Sequence, residues 1–205
     1  KPYSPYSSFS GGQSLKDKAF DVKFVLWKES NNIPQVAFGI RDLGGTNRFA
    51  AEYLVASKYI GNFDITIGMG WGTLASPRNS LTNPFSRIHD TFKIRGNSGE
   101  RNRGGSISPD AWISGKYVSI FGGAEYFIPN IPNLRLKFEY DTTNYRYDSF
   151  DEGNILDNNF RAEGERPVLQ ESPVNLSLVW TPSKNLSFHL GRIRGNTLQV
   201  GFTYS

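Results

Sequence analysis

Residues 63–72 alternate strictly between large apolar side chains and small or polar ones, and no other feature limits the fold of this chain as strongly. Phe63, Ile65, Ile67, Met69 and Trp71 stand at the odd positions, and Asp, Thr and Gly residues stand between them. A period of two maintained through a whole segment predicts a β-strand with one apolar face and one polar face.

Residues 133–141 repeat this alternation with charged side chains. Four large apolar residues face one way and four charged residues face the other: Leu134, Leu136, Phe138 and Tyr140 against Arg135, Lys137, Glu139 and Asp141. Such a strand separates two very different media. Outer-membrane β-barrels are built from alternating strands of about ten residues.

Nine segments carry the alternation, and few helical signals lie between them. They are 19–29, 34–42, 49–59, 63–72, 115–127, 133–141, 173–180, 185–192 and 196–204. The sequence therefore predicts an all-β fold, namely an antiparallel up-and-down transmembrane β-barrel. Residues 1–205 are interpreted as one barrel domain, a partial barrel of about nine strands with two long external loops at 73–114 and 142–172.

The connections predict the orientation of this barrel. In a meander, alternate connections lie at the same end, so the short turns near Asn31, Asn62, Asn130 and Ser183 should cluster. The two long connections, which contain Ser98 and Gly153, should lie at the opposite end. Because bacterial outer-membrane barrels have short periplasmic turns and long external loops, the short turns are predicted to be periplasmic.

The strand count predicts an incomplete barrel. Single-chain bacterial barrels normally have an even number of strands with both ends periplasmic. Here the count is odd, and the first strand starts from the external end. We therefore expect residues 1–18 to be an external loop preceded by an odd number of further strands. Strand 19–29 should then lack a partner on the side away from strand 34–42.

The composition excludes several classes of protein. The chain has no cysteine, so disulfides and thiolate metal sites are absent. No apolar run approaches the ~20 residues of a membrane helix. The formal net charge of +4 is too modest to indicate a nucleic-acid partner. The chain opens without a recognisable signal peptide, which suits either a mature form or a fragment.

Alternation alone leaves open what touches the apolar face. A soluble lipocalin-like binding module would point it inward. Three features favour lipid instead: more than eight strands, charges of both signs on the polar face, and aromatic residues near strand ends that resemble interfacial girdles. Those aromatic residues are Tyr59, Trp71, Tyr126, Tyr140, Trp180 and Tyr204. The charged and polar residues of the opposite face are then the candidates to line a lumen: Asp21, Lys23, Arg41, Glu52, Lys58, Asp64, Glu125, Arg135, Lys137, Glu139, Asp141 and His189.

No residue pattern indicates catalysis, a cofactor or a metal. The glycines at 68, 70 and 72 lack the spacing and following helix of a dinucleotide site, and are interpreted as small residues that leave room in the lumen. His189 lies near Ser187 and across from Asn175, so a hydrolase is kept as a weaker alternative. His89 is interpreted as a solvated loop residue. The chain is predicted not to be an enzyme.

The two long loops have opposite charge. Residues 73–114 carry six cations and three anions, a formal +3, and residues 142–172 carry three cations and seven anions, a formal −4. The loops could be independent, or could pack together over the barrel mouth. Alternatively, the cationic loop could contact an acidic glycan or a lipopolysaccharide phosphate. Its candidate residues are Arg87, Lys93, Arg95, Arg101 and Arg103.

Seven short segments carry a resemblance to a known family. They are 19–30 (AFDVKFVLWKES), 40–46 (IRDLGGT), 52–58 (EYLVASK), 61–64 (GNFD), 68–72 (GMGWG), 172–175 (SPVN) and 194–198 (RGNTL). In order and spacing they resemble the YjbH/GfcD family, outer-membrane β-barrels of exopolysaccharide and group 4 capsule systems. The resemblance covers most of the chain outside the two long loops.

The resemblance implies a part in exopolysaccharide or capsule export or assembly, with the polar lumen as a passive conduit or scaffold. It implies the outer membrane of a Gram-negative bacterium as the location. The implied partners are outer-membrane lipid, an exopolysaccharide or capsule glycan, and periplasmic or lipoprotein components of the export system. It also implies further strands before residue 19, and transfers no site residue.

Overall fold

The computed structural model describes residues 19–45, 50–75, 80–95, 107, 109–143 and 170–204. This part of the chain forms ten β-strands and four short 3-10 helices, without an α-helix. The strands are β1 (Phe20–Trp27), β2 (Gln35–Leu43), β3 (Ala51–Ile60), β4 (Phe63–Gly70), β5 (Ser80–Thr82), β6 (Tyr117–Phe127), β7 (Leu134–Tyr140), β8 (Val174–Ser183), β9 (Leu186–Ile193) and β10 (Thr197–Tyr204). The 3-10 helices are Gly72–Leu74, Pro84–Arg87, Asp90–Phe92 and Pro109–Ala111.

One antiparallel sheet contains all ten strands. Its order is β1-β2-β3-β4-β6-β7-β8-β9-β10, and β5 pairs with β6. Each of the nine predicted segments overlaps one of these strands, to within three residues at each end, so the all-β antiparallel meander is confirmed. β5 was not predicted, because a three-residue strand is too short for a period of two to be recognised.

The four connections predicted as short turns of one end lie together at one end of the meander. They are residues 28–34, 61–62, 128–133 and 184–185, which link β1 to β2, β3 to β4, β6 to β7 and β8 to β9. Gly61, with φ +59°, and Asn133, with φ +61°, supply the positive φ that tight turns need. The clustering of the short turns is confirmed. Ser98 and Gly153, predicted for the opposite end, lie outside the described residues.

The sheet has two edges that no described strand covers. β1 pairs only with β2, and β10 pairs only with β9. The prediction that strand 19–29 lacks a second partner is confirmed for the described part of the chain. The sheet is not closed on itself, so a closed barrel is not seen. The predicted loop at 1–18 and almost all of the one at 142–172 lie outside the described residues.

The apolar side of the sheet is uncovered. The main contacts between described elements join neighbouring strands, attach the 3-10 helix Gly72–Leu74 to β3 and β6, and join the helices Pro84–Arg87 and Asp90–Phe92. Few hydrophobic side chains are fully buried, and these lie mostly in β2, β3 and the region around Trp71 and Val118. In contrast, Ile67 is 59% exposed and Leu176 is 56% exposed in the middle of the sheet. The described residues thus form a single layer of strands. Its apolar face has no second layer against it except at the end opposite the short turns, where residues between β4 and β6 bury Glu52 and Trp71.

Within the residues that the structure describes, no helix is long and apolar enough to cross a membrane.

Candidate functional site

The strand register defines which residues share each face, because directly opposed residues in an antiparallel pair point the same way. Thr66 stands opposite Ser57 on β3 and Gly123 on β6. Ile67 stands opposite Ala56 and Gly122. We call the face of Thr66 the polar face and the face of Ile67 the apolar face.

The register reverses the predicted faces of β3. Residues of a strand that are an odd number of positions apart point to opposite faces. Glu52 and Lys58 therefore lie on the face opposite to Ser57, which is the apolar face, and Lys58 stands opposite Ile65. Tyr53 and Val55 lie on the polar face, opposite Gly70 and Gly68. The expectation that Glu52 and Lys58 share a face with the lumen candidates of β4 and β6 is therefore wrong. β3 mixes polar and apolar residues on both faces, so its alternation alone could not identify them.

Lys58 reaches the short-turn end of the sheet. Its ammonium lies 3.2 Å from the Glu29 carboxylate and also bonds the Ser30 carbonyl. The backbone N–H of Tyr59 donates to the same Glu29 carboxylate at 3.0 Å. That hydrogen bond, together with the Lys58 ammonium, holds the pKa of Glu29 below its usual value of 4.5. A charged side chain on an apolar face is thus directed to the edge of that face.

A pH prediction follows for Glu29. Because its folded-state pKa is lowered, the carboxylate stabilises the fold fully above 4.5, and this stabilisation is lost as the pH falls through the folded-state pKa. We expect wild type to be more stable than Glu29→Gln at neutral pH, with the difference disappearing in acid. Unfolding free energies measured across this pH range for both proteins would check it. A difference that stays constant down to acid pH would contradict it.

On the polar face, one row of charged residues crosses β4, β6 and β7. Asp64 stands opposite Glu125, and Glu125 stands opposite Lys137. The Glu125 carboxylate lies 2.7 Å from the Lys137 ammonium and 3.5 Å from the Arg135 guanidinium. Among the described residues, Asp64 has no hydrogen-bond or ion-pair partner for its carboxylate. The structure therefore brings three predicted lumen candidates into one row, places a fourth, Arg135, against Glu125, and leaves the Asp64 carboxylate without a partner among the described residues.

A second row lies one step nearer the long-connection end. Thr66, Gly123 and Glu139 are its first three members, and Glu139 stands opposite Asn175 on β8. The Asn175 amide donates to Glu139 at a long 3.5 Å, and its carbonyl accepts the backbone N–H of Arg194 at 2.7 Å. Asn175 thus links this row to the turn between β9 and β10.

The remaining lumen candidates are dispersed. Asp21 accepts the backbone N–H of Asp42 at 3.0 Å and lies 4.0 Å from the Arg41 guanidinium. Lys23 stands opposite Gly39 on β2. The Asp141 carboxylate accepts the backbone N–H of Thr143 at 2.9 Å.

His189 is not placed with the residues of a hydrolase. It stands opposite Val179 and Gly201, not opposite Asn175 as expected. The Ser187 hydroxyl lies 3.0 Å from the Thr181 hydroxyl. His89 is exposed, as interpreted, and its Nδ1 lies 2.8 Å from the Thr91 hydroxyl.

The glycines of β4 do not leave open space. A Cβ on Gly68 would lie 2.3 Å from the Phe121 ring, and one on Gly70 would lie 2.7 Å from the Leu74 side chain. A Cβ on Gly39 of β2 would likewise lie 2.2 Å from the Tyr53 ring. The expectation that small residues leave room here is wrong, because aromatic and aliphatic side chains of the polar face fill the space above them.

The described part of the predicted loop at 73–114 contains a short strand and all or part of four 3-10 helices. Most of its described residues, together with residues 71–72 before it and 115–116 after it, form what we call the cap: residues 71–75, 80–95 and 109–116. Trp71, predicted for an aromatic girdle, is only 2% exposed and donates to the Asn83 carbonyl at 3.2 Å. The Asn83 amide in turn donates to the backbone carbonyls of Phe92, Ile113 and Gly115. One buried asparagine therefore joins three segments of the cap.

A buried ion pair fastens the cap to β3. Glu52 is 1% exposed, and both of its oxygens accept hydrogen bonds from the Arg95 guanidinium, at 2.7 and 2.8 Å. The same carboxylate accepts the backbone N–H of Ile113 at 3.0 Å. Glu52 was predicted as a lumen residue and Arg95 as a free loop cation, and neither prediction anticipated their bidentate pair.

The two other loop candidates that the structure describes, Lys93 and Arg87, are exposed. Lys93 lies 2.6 Å from Asp90, and this ammonium holds the pKa of Asp90 below its usual value. Arg87 is exposed and has no ion-pair or hydrogen-bond partner among the described residues. Arg101 and Arg103 lie outside the described residues, as does the acidic loop with which the cap was suggested to pair.

An open cleft of about 400 Å³ lies on the polar face where β4, β6 and β7 meet. Side chains of both charged rows line it, with Phe121 and Leu74 at the end nearer the cap. Among the described residues, no group of three or more His, Asp or Glu side chains is arranged to hold a metal ion.

These features define an all-antiparallel β-sheet protein with one uncovered apolar face and one ion-paired polar face. A family model described as "Exopolysaccharide biosynthesis protein YbjH" (YjbH) matches residues 1–205. The chain is 42% identical over 203 residues to "Uncharacterized lipoprotein YjbH" of Escherichia coli strain K12, a match that covers 99% of this chain. The chain therefore belongs to the YjbH family of exopolysaccharide biosynthesis proteins, as the resemblance predicted.

The chain spans 26% of the length of that relative. No solved structure matches it.

Proposed function

We propose that this chain is part of an outer-membrane β-barrel that takes part in exopolysaccharide export or assembly. In this proposal the apolar face contacts lipid, and the polar face lines a hydrated passage or scaffold for a polymer. The observation that carries the proposal is the uncovered apolar face. The YjbH family and its lipoprotein relative support a role in the Gram-negative envelope.

The apolar face is continuous across the strands inside the sheet. Large side chains there are 43–59% exposed although they have neighbouring strands on both sides: Phe63, Ile67, Leu136, Phe138, Leu176, Trp180, Phe188 and Leu190. A water-soluble protein rarely exposes so large a contiguous apolar surface. Hydrocarbon solvates such a surface, provided that the backbone is paired within the sheet.

Aromatic residues collect at the short-turn end of the apolar face. Phe63 stacks on Tyr126 with ring centroids 4.6 Å apart, and Trp180 stacks on Phe188 at 6.0 Å. Trp27 is 50% exposed at the same end. Aromatic side chains at this level of a barrel lie at the membrane–water interface. This supports a membrane boundary close to the short turns.

The polar face supports a passive role. Its charges occur in pairs of opposite sign, such as Glu125 with Lys137 and Arg135, and its hydroxyls pair with one another, such as Ser57 with Thr66 at 2.8 Å. Such a surface offers hydrogen-bond donors and acceptors to a hydrated polymer. No reaction is assigned to it.

Labelling of single cysteines tests the proposal and its orientation. The chain has no cysteine of its own, so each introduced thiol is the only one it contributes. We expect a membrane-impermeant maleimide to label Ile94→Cys and Asn196→Cys in intact cells, because these positions lie at the long-connection end. Asn62→Cys and Lys184→Cys should react only after the outer membrane is permeabilised.

The four variants control for one another. Labelling of the second pair alone in intact cells would reverse the orientation. Protection of all four until permeabilisation would favour a periplasmic binding module and contradict the membrane proposal.

A further inference from the structure

The cleft between β4, β6 and β7 is a mixed polar and aromatic cavity. Its volume of about 400 Å³ lies within the range of small-molecule sites. Thr66 and Thr143 offer hydroxyls, Lys137 offers an ammonium, and Phe121 offers an aromatic ring. These are the groups that hold sugars, whose hydroxyls hydrogen-bond to polar side chains and whose C–H faces pack on aromatic rings.

The charge of the cleft is strongly unbalanced. Four carboxylates line it and only one cation does, which gives a formal charge of −3; the carboxylates are Asp64, Glu125, Glu139 and Asp141, and the cation is Lys137. Even if the nearby Arg135 is included, because it contacts Glu125, the charge is −2. The rest of the described polar face does not show such an excess at one place.

Two of these carboxylates are not compensated by a cation. Lys137 and Arg135 both lie against Glu125. Glu139 has only the long contact with the Asn175 amide, and Asp64 has no partner for its carboxylate among the described residues. Both stand in adjacent rows on either side of the β6 backbone at Gly123 and Glu125. A ligand in the cleft therefore meets two carboxylates that can each accept a charge-assisted hydrogen bond.

At Gly123 the floor of the cleft is formed by the backbone of β6. Gly123 stands between Thr66 and Glu139, and it has no side chain to project between them. A Cβ there would lie 2.7 Å from the Phe138 carbonyl, so a larger residue would not fit without a shift of β7. The result is a floor of backbone, flanked by carboxylates and closed toward the cap by Phe121.

We propose that this cleft is a subsite for a sugar unit that bears a free amino group. The proposal rests on the proposed polysaccharide role and adds the class of sugar. The ammonium of such a unit would lie between Asp64 and Glu139, its hydroxyls would bond Thr66 and Lys137, and its ring would pack toward Phe121. A sugar with a carboxylate would be repelled by the same field.

The binding test uses the full-length protein that carries this chain, in detergent, near pH 6 so that the amines are protonated. The probes are hexamers of glucosamine, N-acetylglucosamine and galacturonic acid, which place an ammonium, a neutral amide and a carboxylate on similar chains. We expect the glucosamine hexamer to bind about tenfold more tightly than the acetylated one. The galacturonic acid hexamer should bind most weakly.

Variants that remove one charge with little change in side-chain shape test whether the cleft residues cause the preference for the glucosamine hexamer. Asp64→Asn and Glu139→Gln should each reduce the glucosamine preference severalfold, whereas Lys137→Gln should increase it because Glu125 loses its closest cation. Glu29→Gln, which alters an exposed carboxylate outside the cleft, is the matched control and should leave the ratio unchanged.

Equal binding of the three hexamers, or tightest binding of the galacturonic acid hexamer, would overturn the proposal. A glucosamine preference that Asp64→Asn and Glu139→Gln leave intact would also overturn it, because attraction by the whole protein would then explain the binding. The cysteine labelling decides the membrane proposal separately. If the cysteines are labelled as expected but no sugar preference is found, only the subsite proposal fails and the membrane proposal stands.

Discussion

Arg95→Ala is expected to lower the free energy of unfolding by about 3–5 kcal/mol, because it leaves a buried carboxylate without its cation. Glu52 is 1% exposed and accepts both guanidinium hydrogen bonds of Arg95. After the substitution only the backbone N–H of Ile113 still bonds the carboxylate. Denaturant unfolding in detergent or lipid vesicles, followed by the fluorescence of the buried Trp71, would measure the loss.

Two further variants show whether the loss comes from the buried charge. Glu52→Gln combined with Arg95→Ala removes both charges and should recover part of the stability, since no ion is then left buried. Lys93→Ala breaks an exposed pair in the same cap and should cost less than about 1 kcal/mol. Equal effects of Arg95→Ala and Lys93→Ala would show that the cap is not held by the buried pair.

The buried pair also limits what the cap can do. Arg95 and Ile113 hold two separate cap segments on the end of β3, and Asn83 joins these segments to Trp71. Movement of the cap away from β3 would break all three of the hydrogen bonds that Arg95 and Ile113 donate to the Glu52 carboxylate. The described cap is therefore a fixed part of the sheet's long-connection end and not a free loop.

The second large effect is expected from Ile67→Arg, which should cost about 2–4 kcal/mol if the apolar face contacts lipid. Ile67 lies in the middle of β4 and is 59% exposed, since its opposed neighbours Ala56 and Gly122 are small. An arginine there would project into hydrocarbon. In water the same substitution at so exposed a position would cost little.

Thr66→Arg is the matched control for Ile67→Arg. It changes the adjacent residue of the same strand but points to the polar face, where Asp64, Glu125 and Glu139 lie nearby. Its cost should be much smaller, limited to the hydrogen bond with Ser57. Folded fractions measured in urea with the protein in phospholipid vesicles would compare the two. Similar costs for both variants, or a larger cost for Thr66→Arg, would contradict the assignment of the apolar face to lipid.

The regular part of this fold could be predicted because it depends on local periodicity. Strands such as β4, β7 and β10 keep one kind of residue on each face through their whole length, so both their existence and their faces follow from the sequence. The antiparallel order follows from short turns such as Gly61–Asn62. The family could be predicted from short ordered segments.

The interpretation failed where pairs distant in sequence determine the structure. β3 carries Glu52 and Lys58 among apolar residues, and only its register with β4 shows that both lie on the apolar face. Trp71 fits the period of β4, yet the cap covers it. Glu52 and Arg95 are 43 residues apart, so no local pattern marks them as partners.

The sequence by itself determined the two-faced strands, their antiparallel order and the family, because each rests on a period of two, a short turn or an ordered local segment. Only the tertiary structure decided which carboxylates are compensated. Glu52 is paired because the cap brings Arg95 onto β3, Glu125 is paired because β7 lies beside β6, and Asp64 is left open in the cleft. A charge is stabilised by whatever lies within a few ångströms of it, and in a sheet these neighbours come from other strands.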